Sequence, residues 1–228
     1  MENNKFITKE DFFSEVKKME GDHWTPESID SRWDYHSRTI ELLKGLNVDS
    51  RQSVLEMGTM GITCVKNADT IDFIEKWDFS GKKPTYVHDA RKTPWPITDK
   101  KYDVFVALRV YMHLAPKQEE ALNEAFRIAK KVIIVTSEHY VNEVHTDSKG
   151  MTYKDTVSYL NGIHPNLYLP TAMGSFFYWD TEIPSKLNIE NVMQNSQIIT
   201  YAVQYKSSSV YRKIKKGVKK RIKTILKK

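Results

Sequence analysis

The chain has a single cysteine, Cys64, so no internal disulfide can staple it, and a cytosolic setting in which thiols stay reduced is expected. Long apolar runs are missing as well. Each is broken well before the roughly 20 residues needed to cross a bilayer, which excludes an ordinary membrane-spanning helix. The opening stretch, MENNKFITKEDFFSEVKK, mixes acids into its apolar positions and lacks the apolar segment of a secretory leader. No Gly-x-Ser-x-Gly elbow of the hydrolase type occurs, and no lysine follows the glycines as in a phosphate-binding P-loop. Glu138-His139 and Glu143-x-His145 match no standard ligand spacing, so no metal site is expected. Internal repeats are also absent.

What is present suits one main globular domain: 228 residues, 40% hydrophobic and 28% charged. The net charge of +6 is unevenly spread. Residues 206–228 hold 11 of the 35 lysines and arginines and no acid, which leaves 24 bases against 29 acids elsewhere, a net −5. The body is mildly acidic and the tail basic.

Along the chain, Thr8 with Glu10 and Asp11 predicts a capped helix over residues 8–19. Thr25-Pro26 predicts a second, running toward Leu46. Trp24, Trp33, Tyr35 and His36 belong to this stretch, either closing over a ligand or packing as core. Residues 53–57, 85–90, 102–110 and 131–138 are short, apolar and β-branched, as buried parallel strands should be, with a helical pattern over 116–130. This alternation predicts an α/β fold with a doubly wound, mostly parallel sheet. Glycines and prolines break residues 139–185 into short pieces, read as substrate-facing loops and a lid. Residues 188–206 read as a terminal hairpin at the sheet edge.

The stretch Val54-Leu55-Glu56-Met57-Gly58-Thr59-Met60-Gly61-Ile62 runs from buried strand into glycine loop. Taken alone, Gly-x-x-Gly after a strand fits an ordinary turn as well as a ligand loop. Ligands of doubly wound sheets bind outside the carboxyl ends of the strands, and Asp72 in TIDF and Asp89-Ala90 in YVHDA follow at further strand ends. In these features the chain resembles the class I S-adenosylmethionine-dependent methyltransferases over about residues 50–138, with 188–206 also fitting. The resemblance implies a seven-stranded Rossmann-like sheet and S-adenosylmethionine as cofactor. It assigns Glu56, Gly58, Thr59, Met60 and Gly61 to the cofactor loop and Asp72 to the ribose hydroxyls, with Asp69 as an alternative. Asp89 and Ala90 fall to the adenine, and Leu108 and Arg109 to the methionine end. Two departures stand out: Met60 and Ile62 replace glycines of the usual loop, and the Gly61–Asp72 interval is short for a helix plus a strand, so a turn is expected there.

His113 and His139, each following a strand, are the candidate proton acceptors, since imidazole titrates near neutral pH; His145 and His164 are further candidates. Bland readings stand beside them, a turn cap or simple packing. Residues 89–96, with Arg91, Lys92 and Trp95, are either a substrate contact or a rigid surface loop. In the tail, Tyr211, Ile214, Val218, Ile222 and Ile225 fall at steps of three and four among cations. That is the pattern of an amphipathic helix on an anionic membrane surface, with a solvated tail or a nucleic-acid arm as alternatives. Nucleic acid is the weaker partner because the body is acidic.

The resulting organisation is a helical N-terminal cap (1–50), a methyltransferase domain (51–206) and a basic amphipathic tail (207–228). The expected activity is O-methylation of a glycan or lipid-linked saccharide by a cytoplasmic protein held peripherally at the inner membrane face. RNA or protein methylation is one alternative. A non-catalytic membrane-docked scaffold is the other.

Overall fold

The computed structural model describes residues 5–19, 26–48, 52–77, 81–138, 147–171 and 174–186. Its centre is a seven-stranded sheet in the order β3-β2-β1-β4-β5-β7-β6. The strands are β1 (Val54–Met57), β2 (Asp69–Asp72), β3 (Tyr86–Val87), β4 (Tyr102–Leu108), β5 (Ala129–Thr136), β6 (Leu167–Thr171) and β7 (Gly174–Asp180). β1 to β5 are parallel, while β7 runs antiparallel to β5 and β6. This is a Rossmann-like doubly wound sheet, with the strand order reversing between β1 and β4.

Side chains alternate across the sheet, so the register sorts the apolar residues onto two faces. Leu55, Phe105, Val132 and Trp179 form one cross-strand row and share one core with Ile71, Leu122 and Ala125. Helices α3 (Gln118–Ile128) and α4 (Tyr153–Tyr159) cover that face. Its densest point is Trp179 stacked on Phe177, 5.6 Å between centroids, with the edge of Phe126 against Trp179. The adjacent row, Glu56, Val106, Ile133 and Tyr178, faces the other way, toward α1 (Lys9–Val16) and α2 (Pro26–Gly45). Phe12, Val16, Ile40 and Leu43 of these helices pack there, so the N-terminal helices and the sheet share one core.

The expected turn between β1 and β2 is present: no helix lies between them, and residues 58–68 are turns. The chain's beginning fills the vacancy. Phe6 bridges Val65, Ile7 N–H donates to the Cys64 carbonyl (3.0 Å), and Lys66 N–H donates to that of Lys5 (2.7 Å). The Thr8 hydroxyl accepts from Asp11 N–H at 3.1 Å, capping α1 as its sequence predicts.

The hairpin at the sheet edge differs from expectation. It is made by residues 167–180, within the stretch read as loops and lid; the expected hairpin at 188–206 lies outside the described residues. Strand β7 is buried along its whole length, so GSFFYWD shows none of the alternation that marks a half-exposed strand. Pro170, which reads as a breaker, sits on edge strand β6, where a missing N–H is tolerated. Helix α4 escapes a periodicity reading because it is short; a capping box between Thr152 and Asp155 starts it.

Candidate functional site

Strand β1 delivers the chain into a tight turn at its carboxyl end. Gly58 has φ +64°, and a Cβ there would lie 2.3 Å from Val110 Cγ2, so only glycine fits. Its N–H donates to the Ile71 carbonyl (3.1 Å), tying the turn to β2. The Thr59 hydroxyl accepts from Gly61 N–H (3.1 Å), and the Thr59 carbonyl from Ile62 N–H (3.0 Å). The two residues that stand in place of the usual loop glycines are both accommodated. Met60 adopts a left-handed φ of +52° with its side chain partly in solvent, and Ile62 is a core residue under α1 and α2.

Glu56 braces this loop from below. It is 2% exposed, and its two oxygens accept from the backbone N–H groups of Cys64 (2.9 Å) and Val65 (2.8 Å). Burial pushes its carboxyl up to about 7, against the pull of those two amides. The neighbouring Cys64 thiol is pushed up by burial and by the Glu56 charge.

A cleft of about 410 Å³, counting its open mouth, lies over this turn. Met57, Gly58, Thr59 and Met60 line its β1 side, and Val106 and Leu108 of β4 another. Arg32, Tyr35 and His36 of α2 close it. His36 is buried against Phe12 and donates from Nδ1 to the Arg32 carbonyl (2.8 Å), which leaves the Nε2 lone pair available. Burial holds its pKa down at about 4, so it is neutral at physiological pH. Arg32 Nη1 donates to the Tyr35 hydroxyl at 3.4 Å. Burial raises the Tyr35 pKa, while the Arg32 and Arg109 charges oppose the rise, which places both guanidinium groups near this phenol.

The cleft gathers Glu56, Gly58, Thr59, Met60 and Leu108, with Gly61 completing the turn. Arg109 follows directly, in a left-handed conformation (φ +64°), its N–H donating to the Val135 carbonyl at 2.6 Å. Asp72 ends β2, its carboxylate accepting from Phe73 N–H (2.8 Å) and Trp77 Nε1–H (3.2 Å). Asp69 stands at the opposite end of that strand, held by the Tyr102 hydroxyl at 2.6 Å, so it does not share the site of Asp72. Asp89 and Ala90 follow β3 outside the cleft lining; Asp89 is bound by Arg91 through Nε and Nη2, both at 2.9 Å, which holds its carboxyl below the usual range.

Trp95 turns inward. It is 2% exposed, its Nε1–H on the Ala90 carbonyl (3.0 Å) and its backbone N–H on Glu124 (2.6 Å), so residues 89–96 form an anchored loop. His113 lies in a 3-10 turn after β4, exposed, with Nδ1 2.9 Å from the Ser148 hydroxyl and outside the cleft lining. His139, His145 and Trp24 lie outside the described residues. Trp33 packs on Phe12, whereas Tyr35 and His36 are both buried and cleft-lining.

Sequence reasoning missed Arg32. Its signal was position: it lies three and four residues before Tyr35 and His36, hence on the same helix face. Also missed is a polar cluster at the carboxyl end of β5. There Glu138 Oε1 accepts from the hydroxyls of Tyr168 and Ser175, and the Tyr153 hydroxyl meets His164 Nδ1 at 2.9 Å. Its members span residues 138–175, so no local motif announces them. Among the described residues no group of three or more His, Cys, Asp or Glu side chains could hold a metal ion, and no helix is long and apolar enough to cross a membrane.

No protein-family model matches the sequence, and no curated protein matches it. Some solved structures are similar to it at low identity. The magnesium protoporphyrin IX methyltransferase of Synechocystis, solved with bound S-adenosylmethionine, is 14% identical with a TM-score of 0.47, over 73% of this chain and 88% of that one. A methyltransferase from Aquifex aeolicus is 18% identical with a TM-score of 0.43, covering 60% and 86%. A cyclopropane-fatty-acyl-phospholipid synthase-like protein from Lactobacillus casei is 10% identical with a TM-score of 0.44, covering 68% and 75%.

Proposed function

We propose that this chain is an S-adenosylmethionine-dependent methyltransferase acting on an oxygen of a saccharide or lipid-linked glycan at the cytoplasmic membrane face. The observation that carries the reading is the cleft at the carboxyl ends of β1 and β4. There a turn that admits only glycine at residue 58, the buried carboxyl of Glu56 and Arg32 line one cleft. These residues suit the proposed cofactor. Gly58 lets the turn close tightly against Val110 at the cleft, and Arg32 offers a planar donor set matched to a carboxylate such as that of an aminoacyl group. Asp72 keeps acceptor capacity beyond its two present bonds, enough for ribose hydroxyls. Asp89 and Ala90, at the neighbouring strand end, are assigned to the adenine.

When bound, the cofactor supplies an electrophilic methyl group on a sulfonium, so the protein's tasks are alignment and proton removal. Helix α2 contributes Arg32, Tyr35 and His36 to the cleft wall. His113, whose Nδ1 meets the Ser148 hydroxyl, is assigned to take the acceptor's proton; His139 is the alternative. The acceptor class follows from the tail. An amphipathic, purely basic segment at 207–228 would hold a mildly acidic body at an anionic membrane, where lipid-linked glycans are built.

Calorimetric titration of the purified chain with S-adenosylmethionine and its demethylated product tests the reading. Binding that Asp89→Ala weakens supports it. Absence of binding leaves the scaffold alternative. Liposome binding that survives deletion of residues 207–228 removes the membrane assignment, and salt-sensitive RNA binding in its place selects nucleic acid.

A further inference from the structure

Two buried acids elsewhere in the fold lie against cations, Glu124 with Arg127 at 2.6 Å and Asp180 with Lys131 at 3.5 Å, while buried Asp72 accepts from Phe73 N–H and the Trp77 indole. Glu56, which lines the cleft, makes no ion pair among the described residues and is held by two backbone amides alone. Among the described residues, the groups packed around it form no ion pair with it. Helix α2 presents Arg32, Tyr35 and a His36 kept neutral by burial; the turn presents the Cys64 thiol, pushed up by burial; and the register partners on β2 and β4 are Thr70 and Val106. A carboxylate in such a place is penalised when ionised, and a cation arriving in the same cleft removes the penalty.

We propose that Glu56 sorts the cofactor from its spent form by charge, releasing a proton to solvent when a sulfonium-bearing ligand enters the cleft and keeping it when the neutral thioether is bound. This rests on the cofactor reading above. The consequence is directional: the methyl donor is favoured as pH rises, the demethylated product gains nothing, and transfer of the methyl group itself loosens what is left behind. With the carboxyl poised at about 7, the change falls within the physiological range.

The test uses the full chain and calorimetric titration at pH 7 in two buffers of different ionisation heat, with S-adenosylmethionine and S-adenosylhomocysteine as probes. About half a proton is expected to leave on binding the sulfonium ligand, and essentially none with the thioether. The affinity ratio of the two ligands should rise with pH from 6 to 8, by up to about tenfold per unit at the acidic end. In Glu56→Gln the excess release disappears and the ratio becomes independent of pH. Because that variant also disturbs the clamp on Cys64 and Val65, carbon NMR of the wild-type carboxyl groups gives a second readout. One buried glutamate should titrate near neutrality and ionise on adding S-adenosylmethionine. Equal proton release with both ligands, or a Glu56 already ionised throughout, overturns the proposal while leaving the cofactor site standing. No binding of either ligand removes the site itself.

Discussion

The two faces of the sheet are built on different terms. The face under α3 and α4 is closed by aromatic packing among Phe105, Phe177, Trp179 and Trp95, and its helices lie between or beside the strands they cover. The opposite face has no crossover helix after β1, so α1 and α2 are brought in from the start of the chain. On that second face sit the buried titratable groups Glu56, His36 and Cys64, together with Arg32. One face stores stability. The other gives some of it up to keep polar groups in a cleft.

The largest expected effect strikes the closed face. Trp179→Ala removes a fully buried ring stacked on Phe177 and should cost about 3–5 kcal/mol in denaturant unfolding, the usual range for an aromatic deletion in a core. Its ligand affinity, measured where it remains folded, should stay near wild type; a comparable loss of affinity would show the two faces to be coupled. Arg32→Met reverses the pattern. S-adenosylhomocysteine affinity should fall about 10- to 100-fold, as for the loss of a charge-assisted pair, while stability moves by less than about 1 kcal/mol. Wild-type affinity in that variant would take Arg32 out of the site.

A subtler effect sharpens the contrast within the cleft itself. The Glu56 carboxyl is raised from 4.5 to about 7, so the native state holds its proton longer; stability from this group is full below 4.5 and is lost as pH rises to about 7. His36 is lowered from 6.5 to about 4, so its contribution is full above 6.5 and is lost as pH falls toward 4. The two slopes oppose each other between 4.5 and 6.5. Wild-type stability should therefore be nearly flat there, while Glu56→Gln should gain about 1.4 kcal/mol per pH unit with rising pH. Denaturation midpoints across that range check this, and a falling slope in the variant would contradict it. The smallest effect belongs to the outer side of α2. Asp34→Ala breaks an exposed ion pair with Arg38 (3.0 Å) and should cost about 0.3–0.5 kcal/mol with no change in ligand binding.

Much of the parallel half was legible because its strands are short apolar runs separated by clear turn signals. Arg32 was not, since an arginine on an amphipathic helix looks like any solvated cation until the fold brings it and Gly58 to one cleft. The hairpin of β6 and β7 was hidden for another reason. A strand buried on both faces has no period-two signal, and Pro170 reads as a break unless β6 is known to be an edge.

Sequence alone determined the order of alternating strands and helices, the two N-terminal helices with the Thr8 cap of the first, the glycine turn after β1 and the contrast between acidic body and basic tail. Each rests on local periodicity, turn chemistry or charge. Tertiary structure decided which residues meet. Glu56 spends its oxygens on Cys64 and Val65, Asp69 and Asp72 part to opposite ends of one strand, and α2 brings Arg32 over a loop some 26 residues further along the chain. These pairings depend on register and on which helix fills the missing crossover, and long-range packing sets both.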